Sequence, residues 1–138
     1  MHLTKKLRAL LLVSALIAMG IGATLLVAPV AFHAGYGTDL GTNANLLSEV
    51  RAPGGALLAL GITMLIGAFI ARATVPALGI GAAVYLSYGL SRLVSMAADG
   101  MPHQSLVLAT VLELVIGLLC AFALLHATAR TPHFEQVQ

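Results

Sequence analysis

The chain is predicted to be all-α, an integral membrane four-helix antiparallel bundle, and three observations carry that prediction. Hydrophobic residues fill 59% of its 138 positions and charged residues only 9%, against about 25% charged in a typical soluble domain. The mean hydropathy is +0.99. The apolar residues gather into four runs, each long enough to cross a hydrocarbon core of roughly 30 Å. The links between runs are short, so consecutive helices pack as antiparallel neighbours. So few charges cannot cover a water-facing surface. In lipid, backbone hydrogen bonds must close within each segment, which selects helices. The length suits a single domain, residues 1–138.

The first segment spans about 8–32. Lys5, Lys6 and Arg8 precede an uncharged run from Ala9 to Phe32. A cleaved signal peptide has a shorter apolar core and ends in a small-residue cleavage site. Here the run is too long, and Pro29 and Phe32 spoil the obvious sites, so a retained helix is expected. A polar stretch from His33 to about Asn45 follows, with Gly35, Gly37, Gly41 and Asp39, and reads as a loop. The second segment spans about 46–72, with Pro53 in its first turns as a source of a kink. Arg72, Thr74 and Pro76 suggest a short connection. The third segment spans about 76–98. Asp99-Gly100-Met101-Pro102 reads as a tight turn, with Pro102 placed to open the fourth segment, about 102–127. A short tail, 128–138, closes the chain.

Lys5, Lys6, Arg8, Arg72 and Arg130 all fall on one side of such a bundle, whereas the other two loops hold Asp39 and Asp99 without Lys or Arg. The positive-inside rule puts the first side, with both termini, in the cytoplasm. A net charge of +2 with no basic patch excludes nucleic acid as a partner. Cys120, alone in an apolar run, reads as a packing residue. The five histidines show no metal-site spacing. No cofactor and no metal is expected. Most glycines lie inside the segments and suit close helix packing. No G-x-x-x-G pair occurs within a segment to mark a dimer face.

Charge inside the membrane is costly, on the order of 3 kcal/mol at the bilayer centre. Glu113 lies in the middle of the fourth apolar run. Arg92 lies inside the third, and Glu49 and Arg51 at the mouth of the second. Tyr85, Tyr88, Arg92, Ser95 and Asp99 follow one another at spacings of three and four and so share a helix face. Arg92 and Glu113 are expected to pair. Glu49 is expected to turn inward and Arg51 to reach outward. Ser95 is expected to bond its own helix backbone. Tyr85 and Tyr88 suit either core packing or donation to a ligand. The cluster admits two uses: it locks helices in register, or it lines an outward-facing polar pocket.

These residues resemble a known family. Glu49-Val50-Arg51 followed by Gly54-Gly55 is similar to its E-x-R…G-G opening of the second helix. Gly89-Leu90-Ser91-Arg92-Leu93-Val94-Ser95 with Asp99-Gly100-Met101-Pro102 is similar to its G-R-x-x-S…D-G-x-P ending of the third, except that Ser91 stands before Arg92 where the family has Gly. Glu113 with Gly117 is similar to its E-x-x-x-G. The family is the bacterial domain of unknown function 4345. More distantly, Glu49 with Gly54-Gly55 resembles the second helix of DoxX-like four-helix membrane proteins. The resemblance implies a membrane bundle and no particular activity.

No nucleophile–base–orienter set and no phosphate-cradling loop is visible, so catalysis is not expected. The leading expectation is a small bacterial inner-membrane protein whose pocket binds a lipid-like or quinone-like molecule, or docks a membrane protein partner or a second copy. One alternative is a small intramembrane enzyme using Glu113 or Glu49 for proton transfer. Another is a purely structural ion-pair bundle acting as an accessory subunit. A proton or solute carrier is disfavoured, because no inverted repeat is apparent.

Overall fold

The computed structural model describes residues 4–129. Five helices follow in order: α1, Lys5–Val27; α2, Pro29–Ala34; α3, Ala44–Phe69; α4, Ala71–Asp99; and α5, Gln104–Ala129. Among the described residues there is no strand. α1, α3, α4 and α5 are each long and apolar enough to cross a membrane, so the chain is an all-α, multi-pass membrane helical bundle.

The ends differ from the sequence expectation in three places, each for a local reason. The first apolar run is two helices. At Ala28 the backbone leaves the helical region (φ −134°, ψ 54°), and Pro29 begins α2. Pro29 has no N–H to continue the ladder, but its fixed φ suits the first position of a new helix. The joint between α3 and α4 is the single extended residue Ile70, so Arg72 and Pro76 lie inside α4. Pro76 is only in the second turn, and Thr74 makes the tight joint tolerable. Its hydroxyl donates to the Gly67 carbonyl at 2.8 Å and to that of Ile70 at 3.4 Å. Pro102 stands before α5 rather than opening it. His103 caps instead: its Nδ1 accepts from Ser105 N–H and its carbonyl from Leu106 N–H. Gly100, at φ 95°, ends α4 in a conformation that favours glycine. α3 runs on through Pro53. Residues 130–138 of the expected tail, Arg130 among them, lie outside the described residues.

Two antiparallel pairs, α1–α3 and α4–α5, make the closest contacts, and α3 packs against α4 to join them. α1 meets α5 at only a few points, and α3 and α5 do not approach. The core between the pairs holds Leu11, Ala15, Leu60, Met64, Leu78, Tyr85 and Cys120.

The α1–α3 seam is built from small residues seven apart on both helices, the period of a left-handed supercoil. Gly22 meets Gly54, Ala15 meets Gly61, and Arg8 reaches Ala68. A Cβ on Gly22 would lie 2.6 Å from the Gly54 carbonyl oxygen, and one on Gly61 would lie 2.8 Å from that of Ala15. Arginines close both ends of this seam. Arg8 Nε donates to the Ala68 carbonyl at 3.2 Å, and Arg51 Nε donates to the Leu26 carbonyl at 3.1 Å. Each satisfies a carbonyl in the last turn of the partner helix, where the ladder runs out of donors.

Candidate functional site

At the end of the bundle opposite the N-terminus, the two helix pairs enclose a cavity of about 680 Å³. All four long helices contribute walls and α2 lies across one side. The lower wall is apolar, with Ile17, Leu57, Val84 and Ile116 among its residues. The upper part carries His33, Tyr36, Glu49, Tyr88, Arg92, Ser105 and Glu113.

Local structure explains how each side chain arrives. Asn43 caps α3, its Oδ1 accepting from Asn45 N–H at 3.0 Å and Leu46 N–H at 3.3 Å. Glu49 therefore follows in the second turn of a well-started helix. Tyr85, Tyr88 and Arg92, three and four apart on α4, present one face to the cavity. Glu113 comes from α5, and the pairing expected from the sequence is present. Arg92 Nε donates to both carboxylate oxygens of Glu113, at 2.9 and 3.2 Å. Glu113 is the more enclosed of the two, its side chain 15% exposed against 34% for Arg92. Tyr85 is buried, and its hydroxyl donates to the Ser14 carbonyl at 2.6 Å. It ties α4 to α1 beneath the polar groups, and its hydroxyl is already engaged.

Three residues named with the cluster stand outside the cavity, Arg51 among them, reaching outward as expected. Arg51 faces the outside of the α1–α3 seam, beside a second, more open depression lined by Leu26, Thr42 and Gly55. The α1 carbonyl freed near the break at Ala28 draws it there. Ser95 and Asp99 are exposed at the end of α4, beyond the cavity. Ser95 Oγ donates to Asp99 Oδ2 at 3.2 Å rather than to its helix backbone, because the carboxylate one turn on is a stronger acceptor.

The sequence reading had no role for α2, yet it supplies part of the wall. Phe32, His33 and Tyr36 pack edge to face, with ring centroids 5.4 to 5.7 Å apart. His33 Nδ1 lies 2.9 Å from the Pro29 carbonyl. That oxygen only accepts, so the proton sits on Nδ1, and Nε2 is left free. Tyr36 sits over the cavity, where burial pushes its phenol above the usual 10.0, with Arg92 pulling weakly the other way. A signal for this element was present in the chain. Pro29 interrupts the apolar run, and three rings follow within eight residues of it.

Chemically, the site offers one guanidinium, two carboxylates, two phenols besides the engaged Tyr85, an imidazole nitrogen and the hydroxyls of Thr38 and Ser105 above an apolar chamber. Among the described residues no three His, Cys, Asp or Glu side chains gather closely enough to hold a metal ion. No curated protein and no solved structure matches the chain. A family model does match, over residues 6–124, spanning both helix pairs and every charged residue of the cavity. On that match the chain belongs to the family described as Domain of unknown function (DUF4345).

Proposed function

We propose that this protein is a non-catalytic binding protein of the bacterial inner membrane, with both termini cytoplasmic, that holds a membrane-derived amphiphile, lipid-like or quinone-like, in its outer-half cavity. The observation that carries the reading is the cavity itself, polar above and apolar below, between helices of membrane length. Its volume is in the range of small-molecule sites, roughly 300–1,000 Å³. Support for the orientation comes from Lys5, Lys6, Arg8 and Arg72, which gather at the end opposite the cavity, as cytoplasmic ends do.

The test is mass spectrometry of small molecules that co-purify with the protein in mild detergent. A reproducible species, lost when Arg92→Leu is introduced into a protein that still folds, is the expected result. Retention of no amphiphile above the level carried by empty detergent micelles, or retention unchanged by Arg92→Leu, would sink the reading.

The bond from Arg92 to both oxygens of Glu113 favours a second reading, a structural clamp between α4 and α5 in an accessory subunit. In that case Arg92→Leu and Glu113→Leu each impair folding, the double change restores it, and no ligand is lost. The two carboxylates on one cavity also leave room for a small proton-transferring enzyme. That variant of the reading requires an altered lipid or quinone profile in a deletion strain.

A further inference from the structure

The charges facing the cavity do not balance, and the imbalance describes a ligand. Arg92 uses only Nε on Glu113, and among the described residues its two terminal nitrogens bond no protein group. Glu49 faces the same cavity from α3, and its carboxylate bonds no protein group there either. One wall therefore offers an unfilled guanidinium edge with four N–H donors, and another offers an unfilled carboxylate. Counting Glu113, one cation faces two anions. A ligand head that is purely anionic would add to the excess negative charge. A head carrying an anion and a cation would match both free groups and leave the sum unchanged.

Depth narrows the class. α4 has 29 residues, so it is about 43 Å long and outreaches a hydrocarbon core of roughly 30 Å. If its excess is shared between the two sides, Arg92, about 10 Å from the end of the helix, lies a few ångströms inside the core boundary. Glu49 lies about 8 Å below the start of α3. From there both side chains are within reach of the level of a phospholipid phosphate and its substituent, just above the acyl chains. Below it the wall turns apolar. The weak α1–α5 seam opens the cavity sideways, and Leu112 of α5 lines the cavity while remaining 45% exposed. Acyl chains can leave by that seam, so the whole lipid need not fit inside.

We infer that the cavity binds a zwitterionic aminophospholipid, its phosphate on the terminal nitrogens of Arg92 and its ammonium on Glu49, with acyl chains lying along the α1–α5 seam. This rests on the binding reading above. A guanidinium meets a phosphate through two parallel N–H donors, and a primary ammonium donates to a carboxylate. Both are charge-assisted hydrogen bonds.

The test uses full-length protein, delipidated in mild detergent and offered equal amounts of dioleoyl phosphatidylethanolamine and dioleoyl phosphatidylglycerol, with bound lipid read by mass spectrometry after gel filtration. The expected result is enrichment of the ethanolamine lipid by about tenfold, a modest yield for one charge-assisted bond. Glu49→Gln should erase that preference while phospholipid is still retained. Glu49 is exposed and bonds nothing, so the variant should fold as the parent does. Arg92→Lys, which keeps a cation for Glu113, should lower retention of both lipids by losing the paired donors. Equal or greater binding of phosphatidylglycerol by the parent overturns the assignment, as does a preference unchanged by Glu49→Gln. If the protein instead retains an amphiphile without phosphate that depends on Arg92, this inference fails and the broader binding reading stands. If it retains no amphiphile at all, both fail.

Discussion

Glycine at position 22 and glycine at position 55 have the same chemistry and opposite roles. A Cβ on Gly22 would meet backbone on two sides, the Gly54 carbonyl oxygen and the Leu58 nitrogen, both at 2.6 Å. Backbone cannot step aside as a side chain can. Gly22→Ala should therefore lower stability by about 1–3 kcal/mol, the usual cost of forcing atoms into a packed seam. A Cβ on Gly55 would meet nothing within 4 Å. Gly55→Ala should be neutral or stabilise by about 0.5–1 kcal/mol, since alanine loses less freedom in a helix. Unfolding of both variants in mixed detergent checks the contrast, and equal effects would mean that the seam is looser than described. A second residue-scale prediction concerns the ion pair. Arg92→Leu leaves Glu113 largely enclosed with no donor, which should cost on the order of 1–3 kcal/mol. Removing both charges should cost less than the sum of the two single changes. A double-mutant cycle by the same unfolding assay measures the difference directly. The pairing itself was legible, because Arg92 and Glu113 lie on consecutive antiparallel helices at similar depth. The partners of Arg51 and Ser95 were not. One is a carbonyl freed by a helix break, the other a carboxylate one turn away, and spacing alone does not choose between such acceptors.

At the level of the element, α2 decides the shape of the site. It exists because Pro29 interrupts an apolar run that would otherwise be one helix. It touches α1 and α3 but neither α4 nor α5, so it covers the cavity from one side without sealing it. Pro29→Ala should let α1 continue and draw Phe32, His33 and Tyr36 away from the cavity. Tyr36 reports this. Burial holds its phenol above 10.0, with Arg92 opposing. The folded chain thus keeps that proton more tightly than the unfolded one. The associated stability is present below pH 10 and is lost as pH rises through the folded value. In Pro29→Ala the burial is relieved, so phenolate absorbance should appear at lower pH than in the parent. Coincident titration curves would show that α2 does not depend on Pro29. The four long elements were legible from their apolar runs, because lipid demands length and low charge of each. The break at Ala28 was not read from the sequence, because apolar character alone does not distinguish one long helix from two. The small residues seven apart, Ala15 with Gly22 and Gly54 with Gly61 and Ala68, were visible in the sequence but do not form the four-residue pattern usually sought. They mark a left-handed seam between helices of one chain.

The whole molecule is polarised along its axis, and that polarity supplies its strongest test. Lys5, Lys6, Arg8 and Arg72 lie at one end, while the cavity, Asp39 in its loop and Asp99 at the end of α4 lie at the other. Translocating short basic segments is disfavoured, so the basic end should stay in the cytoplasm and the cavity should face the opposite leaflet. Cys120 is fully buried, so it leaves a quiet background for thiol labelling. Single cysteines at exposed positions then report each end in turn. Asn45→Cys and Met101→Cys should react with a membrane-impermeant maleimide in intact spheroplasts, whereas Arg72→Cys should react only after lysis. The three positions must also agree with one another. Asn45, in the first turn of α3, and Met101, between α4 and α5, are separated by two crossings, so labelling of one without the other would contradict the helix count itself. Labelling of Arg72→Cys alone would keep the bundle and invert it. The cavity would then draw its lipid from the cytoplasmic leaflet, where the same free guanidinium and carboxylate would meet a different supply of head groups.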